Sequence, residues 1–172
     1  MSIRTAISAL LCCLSVGTLH AQSMAPGLWE ISSSRMQLEG QNLPDMQSML
    51  AIMPAEQRQM MSQLLSQHGV DMSDQGVRVC LTEQQIKANQ LPLQGPAANC
   101  QQEIISRTDS LWTFRFNCPE GQGKGEVHFA NPREFSSQVE GSFNHAGTAR
   151  QGSMESRGRW IQADCGRLQP VH

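Results

Sequence analysis

The sequence predicts an α+β domain: a curved antiparallel sheet of six to seven strands, a partial barrel, packed against methionine-rich helices and tied by two disulfides. Three observations predict it. Trp112, Phe114, Phe116 and Cys118 alternate with Thr113, Arg115 and Asn117, the period-two pattern of a strand with one apolar face. Met46, Met49, Leu50 and Met53 recur at i, i+3, i+4 and i+7, the pattern of an amphipathic helix. The helical signals come early, and hairpin signals follow one another after Cys100.

The N-terminus reads as an export signal. Arg4 precedes an apolar stretch from Ala6 to Val16, broken only by Ser8 and Ser15, and Gly17-Thr18-Leu19-His20-Ala21 ends on the small residue a signal peptidase needs. The stretch is too short to span a bilayer, and cleavage is expected after Ala21. Cys12 and Cys13 lack the small residue that precedes a lipidated cysteine, so release into the periplasm is expected rather than anchoring. Residues 22–172 are then one domain, with no later apolar run able to span a membrane. The formal net charge is -2, and losing Arg4 makes it -3. A mildly acidic chain without clustered positive charge does not suit nucleic acid.

Gly27 to Leu38 reads as the first strand, with Trp29 and Ile31 on one face, and Asn42 to Pro44 breaks it. The methionine series continues after Pro54 through Met60, Met61, Leu64 and Leu65 to Gly69, which predicts a helical hairpin or a helix kinked at the proline. Val77 to Leu81 reads as a short strand, Thr82 to Gln85 as a capped helical turn, and Pro92, Gly95 and Pro96 as a loop. Further strands are predicted from Gly125 to Ala130, Phe135 to Phe143 and Ser153 to Gln162, with turns at Asn131-Pro132-Arg133 and His145-Ala146-Gly147. In the last strand Met154, Gly158 and Trp160 share one face, and Glu155, Arg157 and Arg159 the wet one.

Four cysteines remain after processing, none in a C-x-x-C or zinc-ligand spacing, so structural disulfides are expected. If Thr108-Asp109-Ser110 is a hairpin turn, residues whose numbers sum to 218 face each other. Phe114 then opposes Ile104, and Cys118 opposes Cys100, about 4.5 to 5.5 Å apart and within disulfide reach. Cys80–Cys165 follows by elimination.

Several segments also carry a resemblance. Pro26-Gly27-Leu28-Trp29-Glu30, Met53-Pro54-Ala55-Glu56-Gln57, Val79-Cys80-Leu81-Thr82, the central cysteines and the closing Gly158-Arg159-Trp160 to Cys165 resemble the DUF3617 family over nearly the whole mature chain. The resemblance implies an exported single-domain protein of Gram-negative bacteria. It implies no catalytic residues.

The chemical signals are few. Trp29, Met46, Met49, Met53, Met60, Phe114, Phe116 and Trp160 could line a pocket for an apolar small molecule, since methionines adapt to varied ligands; the same residues would equally make a filled core, and an envelope protein is the other expected partner. Met60, Met61, His68 and Met72 offer the thioether and imidazole donors of a copper site, the alternative reading. Glu126 and His128 point to one side of a strand, where a solvated pair is the simpler explanation. Gly121-Gln122-Gly123-Lys124-Gly125 lacks P-loop spacing and reads as a flexible hairpin loop, and Arg157 and Arg159 share a face with Glu155. No G-x-S-x-G, H-E-x-x-H or local nucleophile signature occurs, so a non-catalytic role without a cofactor is expected.

Overall fold

The computed structural model describes residues 24–88, 100–145 and 147–170, apart from the side chains of Met46 and His145. The expected cleavage site and the loop expected around Pro92 to Pro96 lie outside the described residues. Among the described residues, nine strands form one open antiparallel sheet. They are β1 (Gly27–Leu38), β2 (Gln41–Leu43), β3 (Val70–Ser73), β4 (Gly76–Leu81), β5 (Gln101–Arg107), β6 (Leu111–Cys118), β7 (Gly121–Asn131), β8 (Glu134–His145) and β9 (Thr148–Gln162). Their order is β3-β4-β1-β9-β8-β7-β6-β5, with β2 pairing with the far end of β1. Among the described residues three helices accompany them: α1 (Met46–Ile52), α2 (Ala55–Gln67) and α3 (Glu83–Lys87).

The hairpin register follows from the turn residues. Ile104 faces Phe114 as the sum rule requires, and a bulge before Ser106 shifts the turn-proximal pairs by one. Both disulfides form as expected, Cys100–Cys118 and Cys80–Cys165. The strand count exceeds the expected six to seven because Gln41–Leu43 folds back on β1, and Val70–Ser73 pairs with β4 around Asp74-Gln75. Both are short, and neither alternates strongly enough to stand out in sequence.

The glycine run is not a loop. Gly121, Gly123 and Gly125 lie inside β7, and the turn before it is Pro119-Glu120. Each glycine sits opposite or beside an aromatic ring on a neighbouring strand. A Cβ on Gly125 would come 2.6 Å from the Phe114 ring, one on Gly123 2.6 Å from Phe116, and one on Gly121 2.9 Å from Phe143. On β9, a Cβ on Gly158 would overlap the ring of Phe135, its partner on β8. The rings therefore lie flat across adjacent strands and meet one another. Trp29 touches Phe135 at 5.4 Å between ring centroids, Phe135 lies 6.2 Å from Phe129, and Phe129 lies 4.8 Å from Trp112. With Val79, Leu81, Val127 and Ile86 of α3, these side chains make the core.

The methionine-rich helices do not supply that core, which corrects the expected packing. Asp45 caps α1 by accepting from the Ser48 N–H at 2.8 Å, and Pro54 separates the helices, since its ring suits a first turn and not an interior. No side chain of α2 is buried. Its periodic apolar residues face solvent because the inner face of the sheet is already filled by aromatics over glycines.

Two outcomes test this fold. Gly158→Ala should lower stability by about 1 to 3 kcal/mol in urea unfolding, the cost of overfilling a packed core. Replacing both Cys80 and Cys165 with Ser should cost about 4 kcal/mol, against about 3 kcal/mol for Cys100 and Cys118, because the first bridge closes an 85-residue separation and the second only 18.

Candidate functional site

The segment Pro26 to Glu30 is bonded to several parts of the sheet. Gly27 adopts φ 130°, and a Cβ there would run into the backbone of Gln162. Only glycine fits this approach of β1 to the end of β9. The Trp29 indole N–H donates to the Ala25 carbonyl at 2.9 Å while its rings fill the core. The Trp160 indole N–H donates to the Pro26 carbonyl at 3.0 Å, and the Arg133 guanidinium covers the Trp160 ring at 4.5 Å.

Glu30 completes the cluster. The residue is 7 % exposed, and its carboxylate accepts from Arg159 Nη2 at 2.9 Å and from the Ser73 hydroxyl at 2.9 Å, with Arg78 Nε at 3.5 Å. The bond from Arg159 holds the carboxyl below its ordinary value of 4.5, helped by Ser73 and by the charge of Arg78 and opposed by burial. One acid thus joins β1 to β9, to β4 and to the end of β3. Nothing in the sequence around Glu30 points to this, because its partners lie 43 to 129 residues away along the chain. A buried acid in a strand opposed by arginines on both flanking strands is the signal, legible only once the pairing is known.

The chain belongs to the DUF3617 family. The family, described as a protein of unknown function, matches residues 24–165. A relative from Pseudomonas putida, described as an uncharacterized protein in the lpd-3 5' region, is 44% identical over 137 residues, covering 78% of this chain and 96% of that one. No solved structure matches. In this DUF3617 chain the P-G-x-W-E motif acts as a clamp, its indole, carbonyl and carboxylate bonds joining β1 to β9, β4 and β3.

The residues singled out from the sequence fall into two groups. Trp29 and Phe114 are buried in the core, Phe116 and Trp160 are packed against it, and these four lie on the sheet. Met49, Met60 and Met61 are exposed on the helices, Met60 at 63 %, while Met53 is half-buried between α1 and α2. The structure therefore does not bring the exposed methionines into a cavity with Trp29. His68 caps the end of α2 and Met72 lies on β3, the next strand along the chain, both half-buried. Glu126 and His128 pair at 2.9 Å on the wet face. Sequence periodicity located the helices and missed that they project an uncovered apolar stripe: Met49, Ile52, Met60, Met61 and Leu64 are all exposed.

The clamp has a pH signature. A carboxyl lowered in the folded state contributes stability that is present above its unfolded value and lost as pH falls through the folded value. Glu30→Gln should cost about 1 kcal/mol at pH 7, since the arginines that lose the carboxylate are 65 % and 43 % exposed and keep their hydration. The gap from wild type should narrow in urea titrations taken well below pH 4.5; an unchanged gap would contradict the assignment.

Proposed function

We propose that this protein is exported to the periplasm, with residues 1–21 removed, and works there as a non-catalytic binding module whose helical arm, residues 45–68, holds an apolar groove of an envelope protein. The single observation behind this reading is the uncovered apolar surface of the arm, Ile52 at the end of α1 and Met60 and Leu64 one turn apart on α2, 86 %, 63 % and 58 % exposed, on a protein whose core is complete without it. Exposed apolar groups at helical spacing suit the helix-in-groove mode of recognition, and methionine adapts its shape to a partner. Two disulfides favour an oxidising compartment.

The charge of the arm favours a protein over a lipid surface. Asp45, Glu56 and Arg58 are its charged residues apart from His68, so it has no cationic face for anionic headgroups. A small apolar ligand is disfavoured by the same geometry, since the stripe is convex surface rather than cavity lining.

A photoreactive residue at position 60, expressed in the periplasm of a native host, should yield one discrete adduct with a second protein. The adduct should vanish when Leu64→Asp is added, and the same probe at the exposed sheet position Gln138 should not form it. Leu64→Asp should leave thermal stability nearly unchanged, because the site is solvated. No adduct, an adduct shared with position 138, or one between two copies of this chain would overturn the proposal.

A further inference from the structure

The face of the sheet opposite the aromatic core carries side chains in cross-strand rows. One row runs Gln151, Ser142, Gln122, Asn117 and Gln101 across β9, β8, β7, β6 and β5, each directly opposed to the next. At about 4.8 Å between strands the row is about 19 Å long. The row beside it carries charge, but the charge cancels in pairs: Lys124 Nζ lies 3.0 Å from Glu140 Oε1, and Arg115 Nε lies 2.9 Å from Glu103 Oε2. A groove of about 860 Å³ follows the two rows from β9 to β6, along Gln151, Ser142, Gln122 and Asn117, and Gln37 of β1 extends its lining. Among the described residues, the side-chain amides of Asn117, Gln122 and Gln151 have no hydrogen-bond partner.

We infer that this groove binds an uncharged polyhydroxyl chain, a neutral glycan. Each amide offers two donors and one acceptor oxygen, which matches a ligand that presents hydroxyl donors and acceptors all along its length. An ionic ligand finds no unbalanced charge in the second row, because each cation already has its carboxylate. An apolar ligand would desolvate the amides without giving them partners. The part of the row that lines the groove, about 14 Å over four strands, suits an oligosaccharide rather than a single sugar. The site lies on the sheet, apart from the helical arm, and does not depend on the role of that arm.

The test is a titration of the isotope-labelled oxidised protein with maltohexaose, cellohexaose and chitohexaose, read at the side-chain amide signals of Asn117, Gln122 and Gln151. At least one hexaose should shift these signals saturably in the millimolar range, with the same affinity at low and high salt. Gln122→Ala should weaken binding about tenfold, and Gln63→Ala on α2 should leave it unchanged. Both positions are exposed, so both variants fold. Absence of a saturable shift with all three sugars, binding untouched by Gln122→Ala, or binding lost at high salt would each overturn the inference.

Discussion

Aromatic rings lying across glycines of neighbouring strands are the constraint on which the rest of this structure depends. Phe114 over Gly125, Phe116 over Gly123 and Phe135 over Gly158 place large side chains in space that any Cβ would occupy. Rings laid flat in this way reach past their own strand, which is how Phe135 on β8 touches Trp29 on β1 with Gly158 of β9 between them. A sheet whose inner face is filled by its own side chains has little need of a helical cover, and only α3, through Ile86, contributes one. The exposed arm and the open polar face both follow.

The clamp around Pro26 to Glu30 and the Cys80–Cys165 bridge close the same region by different means. The bridge ties β4 to the segment after β9, and the clamp ties β1 to β9, β4 and β3 through indole and carboxylate bonds. Both act on the strands that meet where the chain enters and leaves the sheet. Pro26 to Glu30 thus closes the fold at the strands where β1 meets β9 and β4.

Much of the fold was legible because local physics determines it. The Cys100–Cys118 hairpin could be read from turn and alternation together, since the period of two admits one register with the cysteines opposed. Gly27–Leu38 and the Thr82 capping box were equally local. What was not legible depended on neighbours distant in sequence. Gly121, Gly123 and Gly125 look like a flexible loop until the rings that cover them are known. Met60 and Leu64 recur at helical spacing, but spacing reports only that a helix has an apolar face, not that anything covers it. Glu30 looked like an ordinary strand residue because its arginines arrive from β4 and β9.

The central claim is that the core is complete without the methionine-rich arm, and the most direct measurement is the stability of the full chain carrying Ile52→Gln, Met60→Gln and Leu64→Gln together. Urea unfolding should show a combined loss of no more than about 1 kcal/mol, because substitutions on a solvated surface contribute little. A loss of about 5 kcal/mol or more, the scale of large side chains removed from a core, would mean that the arm packs on the sheet after all and that its apolar stripe is not free to bind anything.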